Sequence, residues 1–436
     1  MSSTPSYDRS GNVRVGLALV GLALAVYVLS NPFRANFYDQ FVWQADAYLH
    51  GRAEIEWPVR LDSVRNDYFR DVMPLPDRPG LGLLPYPPLP AIVLLPLVAL
   101  FGLNANAAFL AALLGALNVG LAWRLATRLT ADVSVALAGA LFYAFGTAAW
   151  YAAAIGTTWY LAHVVASTCL FLGITAAIDA RRASHQVAAG LFLGLAALAR
   201  LTTIAGAPFF LFVGHGRDDT RRALTAAVGA LVPLSALLAY NLVSTGQLFH
   251  PAYEWTYRTE APAREDLLHR EWAAEDPRYV PQNLVIMLGW VPRIRPECGL
   301  GGILDPVCPL VAPDPIGMSL LLSSPGYLLA AGLLRKDRRQ ATARLGDGAT
   351  GEEAARRLAA GAGLAALWIA LVDLAHFSQG WVQVGYRFAN DFAPFLLVLV
   401  VLGLDRIGVG RSALTLLAIS IIVNAWGLAW GVALGW

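Results

Sequence analysis

Residues 36–52 read NFYDQFVWQADAYLHGR and place two carboxylates, an indole and an imidazole at helical spacing. At about 100° per residue, Asp39, Trp43, Asp46 and His50 fall within roughly 60° of one another, with Phe41, Ala45 and Tyr48 on the other side. A stripe of this kind can do acid–base work: one carboxylate takes a proton from an acceptor hydroxyl while the other holds the acceptor or tunes its neighbour. It also describes the solvated face of a helix lying on a membrane, and spacing does not choose between Asp39 and Asp46. Further on come Asp62, Asp67, Tyr68, Arg70 and Asp71. Asp62 and Asp71 read first as loop caps and second as reserve carboxylates.

A second group opens at residues 240–258, YNLVSTGQLFHPAYEWTYR. Tyr240 and Asn241 stand where an apolar residue would be cheaper, so they satisfy backbone or a substrate. His250, Tyr253, Trp255 and Tyr257 form an aromatic platform suited to a sugar ring or to lipid headgroups. A third group, Ser378 to Phe388, carries Arg387 just ahead of Asn390, Asp391 and Pro394. Phosphate would give Arg387 a bidentate partner; a salt bridge to Asp391 or snorkelling into headgroups is the alternative. Arg200 raises the same question. Asp373, His376 and His163 are ionisable groups in or beside apolar runs, where function is the default and helix-to-helix hydrogen bonding the alternative. Cys298 and Cys308, with nine residues between them, can close a disulfide in an oxidising compartment. No nearby His/Cys pair completes a tetrahedral zinc set.

The elements that must position these residues are set by composition. Of 436 residues, 57% are hydrophobic and only 14% charged, with a mean hydropathy of +0.54. A soluble chain carries about a quarter charged residues, so this pattern implies a polytopic membrane protein: an all-α bundle forming a single membrane domain. A net charge of +2, with one lysine among 32 basic residues, leaves no basic stripe for nucleic acid. Apolar windows predict eleven spans, near 13–31, 106–124, 133–150, 158–178, 186–201, 202–214, 222–244, 317–334, 357–377, 391–405 and 412–433. The first reads as uncleaved, because Ser30-Asn31-Pro32-Phe33 is a poor small-residue cleavage site. Leu89 to Leu103 is short and broken by Pro90 and Pro96, and is expected to lie flat, pressing Val93, Leu97 and Leu100 into lipid. That choice puts every arginine cluster on one side, as the positive-inside rule requires, with the N-terminus inside and the C-terminus outside. Two large outer segments result, 32–105 and 245–316, each too poor in apolar residues to build its own core. Segment 335–356 reads as a flexible inner linker.

Four features together resemble the integral-membrane glycosyltransferases with the C-type fold, a superfamily that includes protein O-mannosyltransferases and the aminoarabinose transferases of lipid A. They are the D-x3-W-x5-L-x-G pattern from Asp39 through Trp43 to Leu49 and Gly51, the Pro87-Pro88-Leu89 lead-in to a juxtamembrane helix, the Tyr240-Asn241 to Tyr253 aromatic segment, and Gly385-Tyr386-Arg387-Phe388 before a late span. The family's frequent Asp-Glu pair is Asp39-Gln40 here. The resemblance implies transfer of a hexose or pentose from a polyprenyl-phosphate or pyrophosphate carrier to a glycan, lipid or protein acceptor, on the outer face of a bacterial cytoplasmic membrane. It makes Asp39 the catalytic carboxylate, with Asp46 as competitor, and sets Arg387, with Arg200 and Tyr386, beside the donor phosphate. Trp43, His50, Tyr240, Asn241, His250 and Tyr253 are the expected substrate-lining residues. No cofactor is required, although the acidic loop is compatible with a divalent metal. The rival expectation is a transporter or flippase for a lipid-linked solute, which needs charged or broken-helix groups near the bilayer midplane. A structural role in an envelope-assembly complex is a third.

Overall fold

The computed structural model describes residues 9–32, 38–57, 71–216, 218–259, 267, 269, 271–298, 305, 307–335 and 340–434. Asp62, Asp67, Tyr68 and Arg70 lie outside these described residues. Helices dominate, in the order α1 (Arg9–Ser30), α2 (Gln40–Leu49), α3 (Leu89–Phe101), α4 (Ala107–Leu129), α5 (Val133–Phe145), α6 (Ala148–Ile155), α7 (Thr158–Ile178) and α8 (Ala183–Ala197). They continue as α9 (Phe209–Phe212), α10 (Asp219–Thr245), α11 (Ala252–Thr259), α12 (Val280–Gly289), α13 (Leu320–Ser323), α14 (Gly351–Leu374), α15 (Ala389–Ile407) and α16 (Arg411–Leu434). Short 3-10 segments, Leu201–Gly206 and Pro325–Leu334 among them, fill gaps between them.

A helix needs about 20 apolar residues to cross the roughly 30 Å hydrocarbon layer. Among the described residues six helices meet that need: Gly11–Ser30 within α1, then α4, α7, α10, α14 and α16. A seventh appears if α5 and α6, bent by 50° at their junction, are taken as one span. Six or seven of the eleven expected spans thus have a sufficiently long apolar helix among the described residues. Hydropathy windows score composition and not backbone: the apolar run 202–214 is a 3-10 turn plus the four-residue α9, and 325–334 is 3-10 throughout. α8, at 15 residues, is short, and α15 carries Asp391, Asp405 and Arg406 at its ends.

α7 is the central helix, with 83% of its most apolar window buried. Its start is fixed by glycine. Gly156 closes α6 at φ +63°, and a Cβ there would lie 2.5 Å from Ala108 Cα, so no other residue holds this turn against α4. The α5–α6 bend has a local cause too: the Thr147 hydroxyl donates back to the Tyr143 carbonyl (2.8 Å) and accepts from Ala149 N (3.3 Å), ending one helix and capping the next. α8 and α10 meet through small residues, as helices in lipid commonly do. A Cβ on Gly190 would stand 1.8 Å from the Ala226 carbonyl oxygen, and one on Gly229 1.9 Å from that of Val187.

The first large segment packs on a core that it shares with the bundle. Phe41, Val42, Trp43, Ile55, Leu84 and Tyr86 cluster with Leu94 and Val98 of α3 and with Leu110 and Leu161. Consequently α2 is not an interfacial helix with one wet face: Gln40 through Ala45 and Ala47 are all buried. A small antiparallel sheet, β1 (Ile55–Glu56), β2 (Met73–Pro74) and β3 (Leu81–Leu83) in the order β1-β3-β2, ties the segment together. α3 turns Pro90, Ala91, Leu94 and Val98 inward and leaves Ile92, Leu100 and Phe101 exposed. Val93 and Leu97 are half-buried and pack on the shared core. The second segment carries β4 (Arg293–Ile294) against β5 (Val311–Ala312), with Cys298 and Cys308 joined in a disulfide beside them.

At the opposite end of the bundle, residues 340–350 are docked and not a free linker. Thr342 N donates to Asp405 Oδ2 (3.0 Å), Thr130 Oγ1 to the same carboxylate, and Gly346 N to the Ile178 carbonyl (2.8 Å). Arg357 holds Asp347 (2.7 Å) and the Phe212 carbonyl (2.8 Å), and Arg406 pairs with Glu352.

Candidate functional site

The loops gather at the end of the bundle where α7 begins, and the first turns of α7 receive them. The Tyr38 carbonyl accepts from both Thr158 N (3.1 Å) and Thr158 Oγ1 (2.5 Å), which sets Asp39 beside this turn. Trp159 Nε1 donates to Asp71 Oδ2 (3.0 Å), and the Tyr86 hydroxyl donates to the same oxygen. The Tyr160 hydroxyl donates to the Val382 carbonyl (3.1 Å), and the Arg387 guanidinium stands 5.9 Å from the Tyr160 ring centre. One turn on, His163 Nδ1 lies 2.6 Å from Asp391 Oδ1. Among the described residues, the non-glycine residues with positive φ are Tyr38 (57°), Asp71 (41°) and Val382 (56°). Each is bonded to Thr158, Trp159 or Tyr160. Backbone held in this sparse region costs of order 1–3 kcal/mol per residue and collects where the surroundings over-determine it.

Asp39 is 5% exposed. Its backbone carbonyl receives Val42 N and Trp43 N as α2 starts, but its side chain makes no capping bond. Burial raises its carboxyl to about 7, and among the described residues no cation pairs with it to favour the charged form. Asp46 sits at the other end of α2, about 10 Å further along at 1.5 Å per residue. Its neighbour is His50, whose Nδ1 is 3.6 Å from Asp46 Oδ2, on a side chain 61% exposed. The four-residue stripe therefore runs from a buried end to a wet one. Trp43 is buried against Trp57 (6.0 Å between rings).

The arginines divide unequally. Arg200 grips Asp391 with Nε to Oδ2 at 3.0 Å and a terminal nitrogen to Oδ2 at 2.8 Å, while Thr202 Oγ1 adds a bond of 2.9 Å. With His163 on its other oxygen, Asp391 is wholly buried and saturated. Arg387 thus does not pair with Asp391, and among the described residues no carboxylate pairs with it. Its Nε is buried without a partner, pressed by Gly380, where a Cβ would lie 2.7 Å away. Arg387 and Arg200 flank the Phe388 ring at 5.3 and 5.0 Å. Asp373 is also wholly buried, with neither oxygen hydrogen-bonded; the Thr202 hydroxyl beside it gives its one proton to Asp391. Tyr386 faces inward, donating to Gln379 Oε1 (2.6 Å). Asn118, Tyr143, His163, Ser167 and Asn390 line a small cavity, with room for about one water, behind the His163–Asp391 pair.

The expected aromatic platform is dispersed. Tyr240 meets α2 through Gln44 Nε2 (3.0 Å) and the Tyr48 ring. Asn241 closes the end of α10 on the Leu248 carbonyl (2.8 Å). His250 accepts from Ala252 N at the start of α11, and burial lowers it to about 4. Tyr253 reaches the site, edge-on to Tyr86 (6.4 Å) and to His376 (5.9 Å). Tyr257 is interior, bonded to the Tyr279 hydroxyl (2.8 Å). His376 is clasped by Glu275 (2.5 Å) and by the backbone bridge Asp276 N to Ala375 O and Phe377 N to Ala274 O, which pins the second segment over α14. Sequence reasoning missed Trp159, Tyr160, Tyr86 and Thr202. The signal was present in Thr157-Thr158-Trp159-Tyr160, a polar and aromatic run opening an apolar helix directly after Gly156.

Among the described residues no group of three or more His, Cys, Asp or Glu side chains could hold a metal ion. The chain matches no protein-family model, and no curated protein matches it in sequence.

Proposed function

We propose that the chain is a multi-pass membrane glycosyltransferase that moves a sugar from a polyprenyl-phosphate or pyrophosphate carrier to an acceptor hydroxyl. One observation carries the reading: among the described residues a buried carboxylate with no cation paired to it, Asp39, and a cation with no carboxylate paired to it, Arg387, flank the same turn of α7. Group transfer from a phosphate needs both. Asp39 takes the acceptor's proton, the acceptor oxygen bonds to the anomeric carbon, and the bond from that carbon to the carrier phosphate oxygen breaks with inversion. The electron pair leaves with the phosphate, whose growing charge Arg387 meets in a partly dehydrated setting. Arg200, already neutralised by Asp391, positions Phe388 and Arg387 and does not itself bind the phosphate. The polyprenyl tail lies along the exposed apolar faces of the helices. The positive-inside argument puts this face of the bundle outside the cytoplasm, in keeping with the Cys298–Cys308 disulfide there.

The transporter alternative is less well supported, because the opposite end of the bundle is tied shut through Asp405, Glu352 and Asp347, where alternating access needs movement. The test is transfer from a panel of radiolabelled polyprenyl-phosphate sugars by purified protein. Wild type transfers label from at least one donor; Asp39→Asn loses about 10²- to 10⁴-fold in rate, the usual worth of a general base. Arg387→Gln loses donor binding as well as rate. Movement of lipid-linked sugar across liposomes, with no transfer, would instead establish a transporter.

A further inference from the structure

We propose that Asp71, walled by Trp159, Tyr86 and Tyr253, is a sugar-binding subsite that reads hydroxyl groups on the donor. The inference rests on the glycosyl-transfer reading and extends it from the phosphate to the sugar. Asp71 is half-buried and held by two neutral donors, Trp159 Nε1 and the Tyr86 hydroxyl, both on Oδ2. No arginine, lysine or histidine among the described residues pairs with it, and none hydrogen-bonds to Oδ1. A carboxylate so arranged is locked in orientation by one oxygen and offers the other as a bare acceptor. An ionised carboxylate accepts only, so its natural partner is a group that donates without carrying negative charge. Sugar hydroxyls fit this, and the carrier phosphate does not.

The walls agree with that choice. Tyr38 tilts onto Trp159 at 5.2 Å, and Tyr253 stands edge-on to Tyr86. Together they surround the carboxylate with aromatic surface of the kind that packs on the apolar faces of a sugar ring. Placement agrees as well. The Tyr253 hydroxyl lies within electrostatic reach of both the Asp71 carboxylate and the Arg387 guanidinium, so a sugar phosphate seated beside Tyr253 is placed between the two. Asp71 adopts φ +41° without being glycine, a conformation that bonds to Trp159 and Tyr86 maintain.

Full-length protein in nanodiscs is titrated with bare decaprenyl phosphate and with decaprenyl phosphate carrying mannose, glucose or arabinose. Wild type is expected to bind at least one sugar-bearing carrier about tenfold or more tighter than the bare carrier, the worth of a hydrogen bond to a charged group. Asp71→Asn removes that difference and leaves the affinity for bare decaprenyl phosphate unchanged, whereas Arg387→Gln weakens both ligands. Should Asp71→Asn fail to fold, Trp159→Phe combined with Tyr86→Phe frees the carboxylate while keeping the rings, and the same selective loss is expected. Equal weakening of bare and loaded carriers by these variants, or no effect on either, overturns the proposal. So does wild type that binds every loaded carrier no tighter than the bare one. Folded wild type that binds no bare decaprenyl phosphate overturns the carrier reading itself, a failure distinguishable from that of the subsite.

Discussion

Two carboxylates in this chain, Asp39 and Asp391, are buried to similar degrees and have opposite prospects. Asp39 is buried with no cation paired to it among the described residues, so its ordinary value of 3.8 rises to about 7. Below 3.8 both folded and unfolded chains carry the proton; between 3.8 and about 7 only the folded chain does. Stability therefore falls as pH climbs through that window and is level above it. His250, lowered to about 4 by burial, contributes a slope of opposite sign below pH 6.5 in every variant, so the Asp39 slope should be read from pH 4 to 8 as the difference between the thermal melts of wild type and Asp39→Asn. Transfer by wild type should rise through a midpoint near pH 7, since the base acts only when ionised. Asp391 is the reverse case, gripped by Arg200, His163 and Thr202. Removing one partner of a buried pair leaves the other uncompensated, which costs about 3–5 kcal/mol. Arg200→Ala is expected to lose stability on that scale, and Arg200→Ala with Asp391→Ala to lose less than the sum of the single changes, a coupling that a double-mutant melt series measures.

Among the elements, α7 does the positioning and small residues set its neighbours. Gly190 and Gly229 allow α8 and α10 to touch backbone to backbone. Gly190→Ala should force the helices apart at a cost of about 1–3 kcal/mol, seen as a lower melting temperature and slackened packing near Arg200 at the end of α8. Several residues of the candidate site stood out in the sequence: Asp39 by its place in the helical stripe and Arg387 by its place ahead of a late span, and both come to the α7 start. Their relation to α7 was not legible, since nothing local in the sequence brings Asp71 and Val382 to Trp159 and Tyr160 from 88 and 222 residues away. The amphipathic reading of α2 failed for a related reason. Periodicity records which side is polar, but α3, β1 and Tyr240 of α10 cover α2, and the polar residues Gln40 and Gln44 are buried. The windows 202–214 and 317–334 read as spans, but no long helix forms there because 3-10 backbone occupies much of each apolar run.

Across the whole molecule the two ends are built differently. The site end is aromatic and held by scattered side chains, whereas the opposite end is clasped through Asp405 to Thr130 and Thr342. Asp405→Ala should release residues 340–350, measured as faster proteolytic cleavage there, while sugar transfer at the far end persists; loss of transfer together with cleavage would tie the clasp to the site. The chain order of the central ion pair has a further consequence. Arg200 is followed by its partner Asp391 only 191 residues later, and His163 waits longer still. At about 5–20 residues per second of synthesis, a nascent chain holds an unpaired arginine at the membrane for roughly 10–40 s before its counter-charge emerges from the ribosome. Quality control therefore has a defined window, and a chain truncated ahead of Asp391 should be recognised and degraded through the bare guanidinium it cannot hide.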